Sequence, residues 1–591
     1  MRNTVVYTQK PLSSDVASPP ATQVAVEWTK CPSCDAFIYH KRLKRTLGVC
    51  PECNFHFRLP VRQRLEQLLD EDSFEELSGE IEPLDVLGFS DSKPYSQRIA
   101  DAQRKTGYRE GALYGTGAVG GYPIVVAAMN FAFIGGSMGS GVGEAVTRAA
   151  ELALESRSPL LLIATSGGAR MQEGCISLMQ MAKTSQAIGR LHEEGILYVV
   201  VLTDPTYGGV SASFATLGDV LIAEPNSYIG FAGPKVIEQT IRQQLPAGFQ
   251  TAEFLLDHGM LDLVEPRENL RGALRKLFEL HALAAAGGLT ADGLPKPDEL
   301  DVVGRPPIVD PMELVERRAW DVVQLARHIE RPNTLEYLGY VFDEFQVLHG
   351  DRLFDEDAAI VGAIARLGEI PVMVIGHSKG HSTSEMVERN FGMPNPEGYR
   401  KGLRLMHHAA KFGMPIVTLV DTPGAYPGLG GEERGQSIAI AQSIMEMSRL
   451  PVPIVTVVTG EGGSGGALAL AVGDRVLMME NSYYSVISPE GCSTILFKDA
   501  AQAPRAAEAL RLTAPHLLRL GVMDGIVPEP AGGAHQNPVE AAANLKAAIV
   551  TNLQELLGTS PEELLERRYE RFRAFGMPGR QVVLDPPGET S

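Results

Sequence analysis

"VVTGEGGSGGALALAVGD", Val457 to Asp474, leaves an apolar stretch for a loop holding five glycines, then continues in small apolar residues. No Lys-Ser or Lys-Thr follows the glycines, so this is not a Walker loop, and the spacing is not that of a dinucleotide fingerprint. The bare backbone therefore serves something other than a nucleotide phosphate. The same order recurs upstream. "YPIVVAAMNFAF" reads as a strand and "GSMGSGVGEAVTRAAELALES" as a helix opened by glycines; "PLLLIATSGGARM" and "ILYVVVLTDPTYGGVSASFATLGD" are each a strand running into a glycine loop. An α/β chain of crossovers, with binding loops at the strand ends, is predicted.

The chain also repeats itself. "PLLLIATSGGAR" (Pro159 to Arg170) parallels "PIVTLVDTPGAY" (Pro415 to Tyr426). Gly218-Asp219, Asn226-Ser227-Tyr228 and Pro234 match Gly473-Asp474, Asn481-Ser482-Tyr483 and Pro489 at constant spacing. Gly208 and Gly209 answer Gly465 and Gly466 to within two residues. Two copies of one lobe follow, each with two glycine loops. Glycine lacks the Cβ that keeps a partner from a backbone N–H. Two such loops meeting at a helix N-terminus can aim a pair of N–H groups at a developing oxyanion, where a single donor is worth about 2.7–4 kcal/mol. The competing reading is that the glycines only let strand and helix pack closely. "GGSGG", around Ser464, matches the pattern of a serine nucleophile elbow but lacks a His and acid arrangement. His377 and His381 in "IGHSKGHSTSE" read either as a base or metal pair or as loop histidines at a ligand's edge.

At 591 residues the chain exceeds one core, and about 150 residues per domain suggests roughly four lobes. A net charge of -19 argues against a general nucleic-acid coat protein. No apolar run has the length to span a bilayer, and "MRNTVVYTQKPLSSDVASPP" lacks the apolar centre of a secretory signal, so a cytoplasmic protein is predicted. Four of the six cysteines, Cys31, Cys34, Cys50 and Cys53, form C-x2-C-x15-C-x2-C, the pattern of a structural zinc ribbon with no vacant position and no need of His40 or His56. Lys41, Arg42, Lys44 and Arg45 are expected on a solvated hairpin, or as a nucleic-acid or acidic-partner contact. The expected organisation is a mobile arm (1–27), the ribbon (28–57), a first lobe (58–280), an Ala/Gly/Pro-rich linker (281–312), a second lobe (313–575) and a tail (576–591).

"CPSC…CPEC", "FAFIGGSMGS", "SGGARMQE", "LTDPTYGGVSASFATLGD" and "IGFAGPKVIEQT" resemble the beta subunit of bacterial acetyl-CoA carboxylase carboxyltransferase. "RNFGMPNPEGYRKGLRLM", "DTPGAYPG", "EERGQS", "GEGGSGGAL", "SVISPEGC" and "EPAGGAHQNP" resemble its alpha subunit. The resemblance, over about residues 28 to 575, implies the two subunits fused beta first, as tandem crotonase-like ββα superhelix lobes behind a zinc ribbon. It implies carboxyl transfer from carboxybiotin to acetyl-CoA, giving malonyl-CoA for fatty acid synthesis, with one structural Zn2+ per chain. By the same resemblance Gly167, Gly168, Ala169, Gly208 and Gly209 hold the acyl-CoA carbonyl, and Gly424, Ala425, Gly465 and Gly466 the biotin carbonyl. Arg170, Lys235, Arg400, Lys401 and Arg404 are the candidates for CoA phosphates. The implied partners are a biotin carboxyl carrier protein, a biotin carboxylase and a second copy of the chain in a homodimer, with no membrane and nucleic acid only as a side activity of the ribbon. Two departures stand out: the alpha subunit's long charged opening is shortened to "PPIVDPMELVERRAWD", and its lysine-rich loop reads "GHSKGHSTSEMVERNFG". A decarboxylase or hydratase-like enzyme of the same fold, and a zinc-ribbon scaffold protein without turnover, are the rival readings.

Overall fold

The computed structural model describes residues 28–242, 244–285, 289–296 and 302–575. The expected arm (1–27), the tail (576–591) and part of the linker lie outside the described residues. The chain divides into two compact units, Met1–Phe57 and Arg58–Ser591.

In the first unit, strands β1 (Trp28–Lys30) and β2 (Phe37–Tyr39) pair antiparallel. Each cysteine pair sits on the same kind of turn. Asp35 N–H donates to Cys31 O (3.0 Å) and Cys31 N–H to Ala36 O (2.8 Å); Asn54 N–H donates to Cys50 O (2.9 Å) and Cys50 N–H to Phe55 O (2.8 Å). Asp35 and Asn54 take the left-handed conformation, φ 59° and 60°, that Asp and Asn tolerate best after glycine. Lys41, Arg42, Lys44 and Arg45 are exposed as expected, but on a short helix, His40–Arg45, not a hairpin.

The second unit holds two eight-stranded sheets. The first comprises β3 (Glu75–Glu76), β4 (Ala112–Val119), β5 (Tyr122–Met129), β6 (Leu160–Ser166), β7 (Tyr198–Tyr207), β8 (Val220–Ala223), β9 (Ile229–Gly230) and β10 (Leu263–Val264). The second comprises β11 (Glu344–Val347), β12 (Ile360–Leu367), β13 (Ile370–His377), β14 (Ile416–Thr422), β15 (Ile454–Gly463), β16 (Arg475–Met479), β17 (Tyr483–Ser485) and β18 (Gly525–Val527). Each begins as an antiparallel hairpin, β4–β5 or β12–β13, and continues in parallel strands. β6 and β14 are buried at every position, so both read as continuous apolar runs instead of alternating ones.

The repeat keeps one register from the helix after the hairpin through the next two strands. Helices Ser140–Ser156 and Pro396–Phe412 have equal length, and β6 with β14, and β7 with β15, follow at one constant offset. The halves differ between hairpin and helix: Asn130 to Phe133 bridges the gap in the first, whereas the second inserts a longer crossing, Ser378 to Arg389, with its own short helix Thr383–Glu388. Ile134 and Asn390 then resume the match with φ of 46° and 45°.

One buried cluster spans both halves, from Leu161, Val199 and Val201 through Leu270, Leu274 and Leu277 of helix Arg267–Ala285 to Met373, Leu405 and Ile416. Lys411 pairs with Asp219 (2.7 Å) and Arg404 with Asp262 (3.0 Å) beside it. His281 and His408 meet there, their Nε2 atoms 2.9 Å apart. The expected linker differs from a free tether. Its first residues end helix Arg267–Ala285, and Ile308 pairs with Ile526 of β18 by two 2.8 Å backbone hydrogen bonds.

Candidate active site

Two loops close the C-terminal ends of β6 and β7, and two more close β14 and β15. In both halves the hydroxyl at the strand's last residue turns the first loop: Gly168 N–H donates to Ser166 Oγ (2.9 Å) and Gly424 N–H to Thr422 Oγ1 (3.0 Å). The glycines bend there at φ 120° and 150°. The loop then crosses back under the helix start, Arg170 N–H to Met138 O (2.8 Å) and Tyr426 N–H to Pro394 O (3.0 Å).

Main-chain donors decide what these loops can hold. Gly167 N–H is taken by Gly135 O (2.9 Å), Gly208 N–H by Phe231 O (2.9 Å), and Gly168 and Gly424 by the hydroxyls just named. Four of the nine expected oxyanion residues therefore shape the loops and do not donate. Among the described residues, the amides of Ala169, Gly209 and Ala425 have no acceptor. Gly465 and Gly466 open helix Ser464–Leu468, where the first amides have no intrahelical partner. These five form two groups. A Cβ on Gly209 would stand 3.5 Å from Ala169 Cβ; one on Gly466 would stand 2.4 Å from Ala425 N.

The space around each glycine answers whether packing or function keeps it bare. Cβ atoms at Gly463 and Gly466 would stand 2.1 Å from Pro423 O and 2.4 Å from Ala425 N, so packing alone demands glycine there. At Gly167, Gly424 and Gly465 nothing lies nearer than 3.5 Å, so a methyl there would make only ordinary contacts and packing does not demand glycine. The strict register pairs Gly208 (φ 64°) with Ser464 (φ 57°), not with Gly465, and shifts the expected glycine match by one residue.

The expected phosphate cations are placed differently. Arg170 is a correction: its side chain is wholly buried, with Nη1 2.9 Å and Nη2 2.6 Å from Glu110 and Nη1 3.2 Å from Tyr95 Oη. Burial opposes its charge, but the Glu110 carboxylate outweighs burial and holds its pKa up. Lys401 is likewise buried, against Glu356 and Asp357 O (2.8 Å). Arg400 bonds Asp351 (2.9 Å) and Glu397 (2.8 Å), and Arg404 bonds Asp262 and His349 O (2.8 Å). These four are structural ion pairs. Lys235 lies in the first turn of helix Pro234–Ile241.

His377 and His381 do not form a pair. His377 is buried, its Nδ1 accepting from Asp421 N–H (3.4 Å), and burial followed by the Lys379 charge pulls its pKa down to about 3. His381 bonds Asn333, Ile329 O and Glu336.

One constellation behind the second cleft was not foreseen. Lys379, from the inserted crossing, bonds both Asp421 (2.7 Å) at the end of β14 and Glu461 (2.6 Å) in β15; Glu461 also accepts from Arg327 (2.7 Å) and Tyr483 Oη (2.6 Å). Burial would raise the Glu461 carboxyl, but Lys379 and Arg327 hold it at about 2. The first half has Thr165 and Pro205 at the matching strand positions.

In the ribbon, Sγ of Cys31 and Cys53 are 3.7 Å apart and those of Cys34 and Cys50 3.8 Å, with all four within 4.8 Å. A tetrahedral ion with Zn–S of about 2.3 Å requires S–S of about 3.8 Å. The four thiolates thus fit a structural zinc ion, and His40 and His56 turn instead to Thr29 Oγ1 (3.1 Å) and Asn54 O (3.0 Å).

A family profile described as the acetyl-CoA carboxylase zinc finger domain matches residues 28–53, and one described as acetyl co-enzyme A carboxylase carboxyltransferase-like matches 314–576. The acetyl-coenzyme A carboxylase carboxyl transferase subunits beta/alpha of Saccharopolyspora erythraea is 55% identical over 553 residues, 94% of this chain and 95% of its own. The protein of the same name from Salinispora tropica is 52% identical over 557 residues, 93% of this chain and 97% of its own. Among solved structures, the transcarboxylase 12S crystal structure with methylmalonyl-coenzyme A bound superposes with a TM-score of 0.65 at 21% identity, covering 88% of this chain and 92% of that one; it shows the shared crotonase-like fold. Full-length identity of this degree, the zinc ribbon and the doubled lobe together place the chain in the family of acetyl-CoA carboxylase carboxyl transferases that join beta and alpha subunits in one polypeptide.

Proposed function

We propose that the two amide groups divide one carboxyl transfer between them. Ala169 and Gly209 hold the thioester oxygen of acetyl-CoA; Ala425, Gly465 and Gly466 hold the ureido oxygen of biotin carried in trans on a carrier protein. The product is malonyl-CoA for fatty acid synthesis. A biotin carboxylase and the biotin carboxyl carrier protein supply the carboxyl group. What carries this reading is the duplicated arrangement: at matching strand ends, each half leaves a set of backbone amides without acceptors. When bound, carboxylated biotin supplies both the carboxyl group and the nitrogen that takes the α-proton. The chain's own part is electrostatic. Preorganised N–H dipoles stabilise charge on each carbonyl oxygen without reorganising. The Ser166 and Thr422 hydroxyls fix the loops, and Lys379 ties β14 to β15 beneath the second. Lys235 is the cation assigned to a CoA phosphate.

A homodimer completes the site in this reading. Among the described residues no hydrogen bond or ion pair joins the two clefts. Each is followed by exposed apolar side chains: Met171 and Met179 after the first, Leu429, Ile438 and Met445 after the second. A second copy would cover both sets, setting the first cleft of one chain against the second cleft of the other. Sedimentation equilibrium should give twice the chain mass; a monomer at full activity would count against this arrangement.

The test of function is label transfer from malonyl-CoA, carboxyl-labelled, to free biocytin, without ATP and without the carboxylase. Acid-labile label should appear on biocytin. If malonyl-CoA is instead decarboxylated at the same rate with or without biocytin, the decarboxylase reading gains and this one fails.

A further inference from the structure

Tyr399 is wholly buried in the first turns of helix Pro396–Phe412, and its hydroxyl has no hydrogen-bond partner. A buried polar atom left unpaired costs about 1–3 kcal/mol, so a bare phenylalanine would serve packing better. The hydroxyl is aimed at a particular spot. It lies 2.8 Å from where a Cβ on Gly466 would stand, and that point is also 2.4 Å from Ala425 N and 2.7 Å from the Gly424 carbonyl carbon. The orphan hydroxyl thus sits beneath the crossing of the two loops that carry the free amides of the second cleft. The first half has no phenol here: the matching helix position is Gly143, and Gln180, whose Oε1 is likewise buried without a partner, fills the space a side chain there would take.

Burial, reinforced by the Asp357 carboxylate, pushes the phenol well above its ordinary pKa, so it stays a donor throughout the working range. It has no accessible surface, which rules out direct contact with a ligand in this conformation. Catalytic hydrogen bonds are often long before the ligand arrives and tighten with it. The crossing offers an acceptor in the Gly424–Ala425 peptide, whose carbonyl already takes one bond, from Thr422 Oγ1 (2.7 Å), and has a second lone pair. A second bond to that carbonyl polarises the peptide and makes the Ala425 N–H a stronger donor.

We propose that Tyr399 is a positioning residue of the second cleft, forming its hydrogen bond with the Gly424–Ala425 peptide as the loops close on a bound oxygen and so strengthening the Ala425 amide. This rests on the assignment of the second cleft to biotin. The test is Tyr399→Phe in the full-length chain, read by thermal melting, by steady-state transfer from malonyl-CoA to biocytin, and by equilibrium binding of biotin and of acetyl-CoA. The melting temperature should hold or rise, since the orphan group is gone. kcat should fall about tenfold, the size of one net hydrogen bond. The KM for malonyl-CoA should be unchanged, and biotin binding should weaken while acetyl-CoA binding does not. A kcat equal to the parent's overturns the role of Tyr399 and leaves the cleft assignment to the label-transfer experiment. Weakened acetyl-CoA binding with biotin binding intact overturns the cleft assignment, and the proposal with it.

Discussion

Gly208→Ala separates the two reasons for a bare loop. The added Cβ would stand 2.9 Å from Gly168 Cα, a backbone atom that cannot rotate away. Ordinary carbon contacts need about 3.5–4.0 Å, so the two loops of the first cleft must part by about 0.6–1 Å. Alanine also pays for φ at 64°, about 1–2 kcal/mol. A parting of that size takes one amide, Ala169 or Gly209, from about 2.9 Å to beyond about 3.5 Å of a shared oxygen, where a hydrogen bond is lost. Losing one oxyanion donor costs about 2.7–4 kcal/mol, or about 10²–10³ in kcat. The matched control is Ser464→Ala, at the corresponding place in the second half. There a side chain is already tolerated at φ 57° and exposed to solvent, so kcat should stay within about threefold. Steady-state transfer from malonyl-CoA to biocytin reads both, with circular dichroism to confirm folding. A folded Gly208→Ala enzyme with parental kcat would refute the reasoning, because the first cleft would then work without its loops in contact.

Chelating the ribbon's zinc should release one ion per chain and abolish amide protection in residues 28–57, while the sheets of the second unit keep theirs; global unfolding would show that the metal supports more than the ribbon. His281 and His408 make the junction between the halves acid-sensitive. Burial pulls His281 to about 4, so the unfolded chain binds its proton first; stability is intact above about 6.5 and falls as pH drops toward 4, by about 3 kcal/mol from this group. Replacing both histidines with leucine should flatten urea midpoints across that window, and an unchanged slope would contradict it. Glu224 is clasped by Arg64 (2.9 Å) and Arg267 (2.7 and 2.8 Å); burial opposes its charge, but the two arginines hold it at about 2. Its stabilisation is present above about 4.5 and lost as pH falls toward 2, and Arg267→Met should cost about 3–5 kcal/mol in denaturant unfolding at neutral pH. A loss below 1 kcal/mol would mean the pair is idle.

What the sequence disclosed was local. The CxxC knuckles are short turns whose four residues carry their own geometry, so the zinc ligands were legible outright. The duplicated lobe was legible because buried parallel strands read as apolar runs and their loops as glycine, and both survive in register. The match of glycine doublets slipped by one residue for a physical reason: the fold preserves a left-handed backbone, supplied by Gly208 in one half and Ser464 in the other. Glycine count is an imperfect proxy for φ. The cations failed where partners are distant in sequence, Glu110 for Arg170 and Asp262 for Arg404, which no spacing rule reveals. The same holds for hydrogen-bond occupancy: Gly167 and Gly208 look like donors until Gly135 O and Phe231 O are placed. Tyr399 and Lys379 were within quoted motifs, but nothing in the sequence marks one as orphaned or the other as a clasp.

The most direct measurement is a crystal structure of the full chain with acetyl-CoA bound. The thioester oxygen should lie about 2.9 Å from both Ala169 N and Gly209 N, with no carboxylate or imidazole within reach of the α-carbon. A thioester turned away from those amides, or an acidic or histidine side chain seated against the α-carbon, would contradict the division of labour between the two clefts.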